Sequence, residues 1–267
     1  MPQVERDGVT ISYLDQGQGP ALLLIHGHTL DHRVWEAAMP VIGRAGLRVI
    51  RPDLRGHGRS ARPERGYHLS HHAQDMVAVL AQAGVGRAVV AGLSLGGGIA
   101  LELALARPEA VTALVLVSPV MPDRPFEPVF MDNLREVART VRGQGIAAAM
   151  RGPWLESPLF AASFTRPGVR EQVLDMISDF PGAEYLAIER DQVQREWKVP
   201  DRLGEIAVPT LVLVGERELP GFRAFADEAA ASIPGARLEV LAGAGHLLPL
   251  EQPDTVGRLI VEQMQDL

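Results

Sequence analysis

Ser94 stands in the run Gly92-Leu93-Ser94-Leu95-Gly96-Gly97, directly after the apolar segment Ala88-Val89-Val90-Ala91. A serine hydroxyl is a poor nucleophile until a neighbouring base takes its proton. A Gly-x-Ser-x-Gly turn between a strand and a helix supplies half of what is needed. The sharp turn lifts the hydroxyl above the strand ends, and the glycines let backbone pass close by. Ser94 is therefore the candidate nucleophile. The competing use of such a turn, phosphate binding, calls for a Gly-Lys-Ser/Thr ending that this run lacks. Eight histidines compete to be the base. His246, in Ala242-Gly243-Ala244-Gly245-His246, follows the apolar run Leu238–Leu241 and precedes a helical pattern from Pro253. A loop after the last strand of a parallel sheet opens at the same edge as the turn at Ser94, so His246 is the candidate base. The order Ser…Asp/Glu…His puts the orienting carboxylate after the strand before last. That strand is Pro209–Val214, and Gly215-Glu216-Arg217-Glu218 follows it.

These residues need a scaffold of alternating strands and helices, and the pattern supplies one. Val9–Leu14 alternates in the strand sense. Short apolar runs recur at Ala21–Ile25, Leu47–Arg51, Arg87–Leu93, Ala113–Val117, Pro209–Val214 and Leu238–Leu241. Continuous apolar strands predict burial on both faces and a parallel sheet. Helical patterns lie between them at Asp31–Gly43, Ser70–Ala83, Leu95–Arg107, Phe222–Ser232 and Pro253–Met264. The alternation predicts a doubly wound α/β fold. It breaks between Pro119 and Arg202, a stretch with helical patterns, no strand signal and eight of the thirteen aromatic side chains.

With turn, base loop and acid loop in this order, the chain resembles the α/β-hydrolase family, in the branch of small esterases, enol-lactonases and cofactor-free haloperoxidases. The resemblance implies a mostly parallel central sheet with helices on both faces. It divides the chain into a core of residues 1–118 and 203–267 and a helical cap of residues 119–202 inserted between two strands. The family usually places Asp three residues after the glycine that ends the strand before last. Here that position is Glu218, one methylene longer, which makes Glu218 the candidate acid. Asp123 and Glu216 are the alternatives. Ile25-His26-Gly27-His28-Thr29 resembles the family's His-Gly-x motif, which implies that the backbone N–H groups of His28 and Leu95 form the oxyanion hole. Asp53-Leu54-Arg55-Gly56-His57-Gly58-Arg59-Ser60 resembles the family's bracing turn, with a structural role. His26 is expected to hold the loop rather than to do chemistry.

The implied function is a serine hydrolase that cleaves a carboxylic ester or lactone of a small, largely apolar substrate through an acyl-enzyme on Ser94. The alternatives are a C–C bond hydrolase, a perhydrolase or haloperoxidase on the same triad, and a ligand-binding receptor with a vestigial triad. A serine nucleophile argues against chemistry that proceeds through an alkylated carboxylate. The implied site takes no cofactor and no metal. His26-Gly27-His28-Thr29-Leu30-Asp31-His32 nearly spells a metal-binding His-x-His-x-Asp-His motif but has one residue too many before Asp31.

Composition removes other classes. The 267 residues include no cysteine, which excludes disulfide scaffolds, thiolate metal sites and cysteine nucleophiles. Lys and Arg number 26 against 33 Asp and Glu, a net charge of −7, which argues against nucleic acid as a partner. The longest uncharged apolar stretch, Ala88–Leu101, is too short to span a bilayer. The N-terminal residues carry no basic stretch followed by an apolar run, so a cytoplasmic protein is expected. Oligomeric state leaves no signal in the sequence.

Overall fold

The computed structural model describes residues 1–121, 124, 126–187 and 199–265. Eight strands form one sheet: β1 (Gln3–Arg6), β2 (Val9–Gln16), β3 (Ala21–Ile25), β4 (Arg48–Pro52), β5 (Ala88–Leu93), β6 (Val111–Val117), β7 (Thr210–Gly215) and β8 (Arg237–Leu241). Their order is β1-β2-β4-β3-β5-β6-β7-β8. β2 runs antiparallel to β1 and β4, and the other pairs are parallel. Because side chains alternate across a strand, the apolar runs feed two cores at once. Leu22 and Leu24 of β3 join Ala91 and Val115 on one face, and Leu23 and Ile25 join Val90 and Leu116 on the other.

The first face packs against α1 (Met39–Arg44) and the second against α2 (Leu69–Gln82) and α3 (Leu95–Ala106). Between β6 and β7, where no strand occurs among the described residues, lie α4 (Pro128–Gln144), α5 (Ile146–Ala149), α6 (Val169–Asp179) and α7 (Ala183–Leu186). Phe130, Trp154, Phe160 and Phe180 of this segment share an apolar body with Trp35 and Leu24. The chain closes with α8 (Pro220–Ser232) on the second face, then α9 (Leu248–Glu251) and α10 (Pro253–Gln265) on the first. No helix among the described residues is long and apolar enough to cross a membrane.

Three local expectations change. The continuous helix expected over 31–43 is split into a tight turn-like helix at His32–Ala38 and α1. Pro40 causes the break, since it has no N–H to bond back along a helix and its ring crowds the preceding turn. β8 is not buried on both faces: Glu239 and Val240 are exposed because β8 is a sheet edge. β1 was not expected, because Gln3-Val4-Glu5-Arg6 is short and polar. Its signal is the Asp7-Gly8 turn, where both residues take positive φ, 52° and 76°.

A buried ion network ties the first hairpin to α2 and to the loop after β4. The Asp75 carboxylate, fully buried, accepts from Arg55 Nε at 2.7 Å and Nη2 at 2.7 Å, and from Arg6 Nε at 2.9 Å. Removing Asp75 strands the Arg55 guanidinium, which is itself 3% exposed. Asp75→Ala is expected to cost about 3–5 kcal/mol in urea unfolding. A loss below 1 kcal/mol would show that Arg55 finds another partner.

Candidate active site

β5 leads into Ser94, whose φ of 53° and ψ of −112° lie where non-glycine residues rarely sit. Such backbone costs about 1–3 kcal/mol and persists only when its surroundings hold it. Two glycines make this possible by close approach. A Cβ on Gly92 would lie 2.1 Å from the Gly96 carbonyl oxygen, and one on Gly96 would lie 2.4 Å from that of Ile25. The Ser94 carbonyl accepts from the N–H groups of Gly97, Gly98 and Val120, at 2.9, 3.2 and 3.1 Å. The turn is thus locked to the start of α3 and to the chain beyond β6. The Leu95 N–H is the first of that helix and has no acceptor within it.

The loops after β7 and β8 are bound to each other. Glu216 N–H donates to the Leu241 carbonyl at 3.0 Å and Arg217 N–H to that of Ala244 at 2.8 Å. The structure brings Glu218 and His246 together: Nδ1 of His246 lies 2.8 Å from Glu218 Oε2, and the two side chains are 2% and 1% exposed. The extra methylene is absorbed locally, because Glu218 Oε1 accepts from the Leu219 N–H at 2.9 Å and the side chain folds back on its own loop. Glu216, the nearby alternative, instead accepts the Gly243 N–H at 2.8 Å and braces the loop backbone. Asp123, the other alternative, lies outside the described residues.

The backbone of the His246 loop has its own buried support. Glu251 takes the N–H groups of Gly245 and Leu247 at 2.7 and 2.9 Å. The Ser163 hydroxyl donates to Glu251 at 2.6 Å and accepts from the His246 N–H at 3.1 Å. Phe222 meets the His246 ring edge to face at 4.6 Å. Sequence reading missed Glu251 and Ser163. The only trace of Glu251 was a carboxylate five residues beyond His246, and Ser163 had none, since it reaches the loop from 83 positions away.

At the end of β3, a Cβ on Gly27 would lie 3.4 Å from the Ser94 Cβ, so this loop abuts the Ser94 turn. Two histidines bracket it from below. His26 Nε2 accepts the Leu54 N–H at 2.9 Å while Nδ1 faces the Gly27 carbonyl at 2.8 Å. His57 Nε2 accepts the Thr29 N–H at 3.1 Å while Nδ1 faces the Arg55 carbonyl at 3.0 Å. A ring nitrogen that accepts an N–H carries no proton, so both rings are neutral. Burial, the main cause, pushes His57 down to about 4 and also lowers His26. Asp53 accepts from the N–H groups of His32 and Arg59, at 3.1 and 2.9 Å, and so braces the turn from Asp53 to Ser60.

Two groupings of metal-ligand type occur among the described residues: His28 with His57 and Glu184, and Asp31 with His32 and Asp53. Internal bonds account for both. The His57 lone pair is held by Thr29. Asp31 is held by Arg33 through both carboxylate oxygens, at 2.6 to 3.0 Å, and His32 Nδ1 by Asp53 at 2.7 Å.

Ser94, Leu95, His246, Gly27 and His28 all line one cavity of about 490 Å³. Phe126, Phe130, Leu134, Trp154, Leu159, Phe160 and Phe222 make part of its wall apolar, and Tyr67, His72, Glu184 and Tyr185 make another part polar. Several aromatic side chains of the helical segment therefore face the cavity.

The family profile described as the alpha/beta hydrolase fold matches residues 20–253. The chain belongs to the alpha/beta hydrolase family. It is 31% identical over 266 residues to a non-heme haloperoxidase of Rhodococcus erythropolis, covering 94% of each chain. Among solved structures it is similar to Est816, described as an N-acyl homoserine lactone degrading enzyme, at 33% identity and a TM-score of 0.81, over 97% of this chain and 98% of the other. It is similar also to a thermophilic esterase from Thermogutta terrifontis, at 29% identity and a TM-score of 0.84, over 99% and 98%. Within this alpha/beta hydrolase, the Ser94 turn, the His246 loop and the Glu218 loop converge at the carboxyl edge of the parallel strands.

The neutral histidine bracket has a pH consequence. His57 holds a folded value of about 4 against 6.5 when unfolded. Above 6.5 both states are neutral. Between 6.5 and 4 the unfolded chain binds the extra proton, so stability falls as pH falls through that window. His57 alone contributes on the order of 3 kcal/mol across it, and His26 and His72, also lowered, act in the same direction. Urea unfolding at pH 7.5, 5.5 and 4.5 is expected to show a steady decline. A flat profile would mean that the ring is not held neutral.

Proposed function

We propose that the protein is a serine carboxylic ester hydrolase, an esterase or lactonase acting on a small, largely apolar substrate. One observation carries the reading: the buried Glu218 carboxylate 2.8 Å from His246 Nδ1, beside a cavity that Ser94 shares. In the proposed mechanism His246 Nε2 takes the Ser94 proton as Oγ attacks the substrate carbonyl. Glu218 keeps Nδ1 protonated and stabilises the imidazolium. The N–H groups of His28 and Leu95 receive the oxyanion, each worth about 2.7–4 kcal/mol to the transition state. His246 passes its proton to the leaving alkoxide. It then activates water, which hydrolyses the acyl-Ser94 ester and frees the acid. Substrate and water balance the reaction.

Residues 119–202 act in this reading as a cap over a core of residues 1–118 and 203–267, excluding water and shaping the pocket. A cavity of this size suits a small ligand, and its phenylalanine wall suits an apolar acyl chain. The similarity to proteins named for ester and lactone cleavage agrees with a carbonyl substrate. The haloperoxidase relative supports one further use of the same acyl-enzyme, in which hydrogen peroxide replaces water and a peracid leaves.

The test is hydrolysis of p-nitrophenyl butyrate at pH 7.5. The wild type is expected to turn over and Ser94→Ala is not. Glu218→Gln is expected to lose about 10⁴-fold in kcat through the wrong histidine tautomer. Near-normal activity of Glu218→Gln would move the acid elsewhere, and an inert wild type would remove the ester reading. Acetate with peroxide separates the perhydrolase use.

A further inference from the structure

His28 is unusual among the residues at this cavity, because its backbone and its side chain face different tasks. Its N–H is the oxyanion donor of the proposed mechanism. Its imidazole is gripped at both nitrogens by the helical segment between β6 and β7. Nδ1 lies 2.7 Å from Glu184 Oε1, and Nε2 lies 3.0 Å from the Tyr185 hydroxyl. Both partners come from α7, a single turn. The ring is boxed edge to face by Trp154 at 5.5 Å and Phe180 at 5.7 Å. Neither Glu184 nor Tyr185 has a part in the proposed chemistry, yet both line the cavity.

The next residue is held from the same side. Thr29 has a φ of 64°, a left-handed conformation unfavourable for a β-branched side chain. Trp154 Nε1 donates to Thr29 Oγ1 at 2.8 Å, and that hydroxyl donates to the His28 carbonyl at 2.7 Å. The peptide after His28 is therefore fixed by Trp154 from above and by His57 from below, the His28 ring by Glu184 and Tyr185, and the peptide that carries the His28 N–H by His26 at the Gly27 carbonyl. Even a half-buried carboxylate such as Glu184 is costly unless paired. Burial alone would raise Glu184, but the charge and hydrogen bond of the His28 imidazole outweigh it and bring it to about 2. Glu184 thus stays an ionised acceptor over the working pH range.

We propose that Glu184 and Tyr185 are positioning residues that clasp the His28 imidazole and thereby aim its backbone N–H, so that the oxyanion hole is complete only when α7 is docked. The inference rests on the serine-hydrolase reading. It adds that the segment over the pocket is part of the catalytic geometry as well as a wall of the pocket.

The experiment compares wild type, Glu184→Ala, Glu184→Gln, Tyr185→Phe and Ser94→Ala. It reads kcat and KM on p-nitrophenyl butyrate, inhibition by an alkyl trifluoromethyl ketone, inhibition by the matching alkyl methyl ether, and Tm. The trifluoromethyl ketone adds to the serine as a tetrahedral oxyanion, and the ether only fills the pocket. Glu184→Ala is expected to lower kcat by about 10- to 100-fold, part of the 10²–10³ lost with a whole oxyanion donor. Its affinity for the ketone should fall by the same factor, with KM, ether affinity and Tm little changed. Glu184→Gln keeps an acceptor for Nδ1–H and should stay within about threefold of wild type, and Tyr185→Phe should lose several-fold in kcat. In a His28→Ala background, Glu184→Ala should cost nothing further.

Three results would overturn the clasp. One is an unchanged kcat and ketone affinity in Glu184→Ala. Another is a loss in which ether affinity and Tm fall together. The third is full additivity with His28→Ala. If Glu184→Ala does not fold, Tyr185→Phe and the ketone decide. A wild type inert to both ester and ketone would instead sink the underlying hydrolase reading.

Discussion

The backbone at Ser94 is the constraint around which the rest of the molecule is arranged. A side-chain-bearing residue at φ 53° is uphill by itself. It is held because β5 is buried on both sides, because α3 starts at once, and because Gly92 and Gly96 leave no Cβ where carbonyl oxygens must pass. The central place of β5, between β3 and β6, follows from the same need. Neighbours on both sides bring the loop after β3 and the chain after β6 against the turn. Gly27 and Val120 are the contacts through which they do so.

His246 and Glu218 are held by a different device. No strained residue is involved; instead, buried polar groups satisfy one another across distant parts of the chain. Glu251 and Ser163 saturate the backbone of the His246 loop, while Glu218 engages the ring. Buried as they are, each of these groups would be costly alone. Their mutual satisfaction explains how a Glu occupies a position where the resembling family usually has Asp. The extra length is folded back onto the Leu219 N–H.

The third element is the loop after β3, a short backbone stretch pinned from two sides. Below it, neutral His26 and His57 accept backbone N–H groups. Above it, Trp154, Glu184 and Tyr185 hold Thr29 and His28. The lower bracket belongs to the sheet and the upper to the helical segment. The loop that carries the His28 N–H is thus held by both.

Much of this was legible in the residue pattern, and the limits have a physical origin. Continuous apolar runs and the helical patterns between them are local signals, so most strands, the parallel character of the sheet and the place of the insertion could be read directly. The Ser94 turn and the loop order that leads to His246 were legible because glycine spacing and chain order carry them. What failed locally was also local in cause: Pro40 split a helix, and polar β1 hid behind its Asp7-Gly8 turn. The partners of the site were another matter. That Glu218 rather than Glu216 meets His246 depends on hydrogen bonds between two loops. That Ser163, Glu251, Glu184 and Tyr185 converge on the site depends on packing between segments far apart in sequence. A hydrogen bond fixes positions in space and leaves no periodic mark on either sequence segment. The sequence by itself determined the scaffold and the kinds of reactive residue, and only the tertiary structure decided which polar groups satisfy one another there.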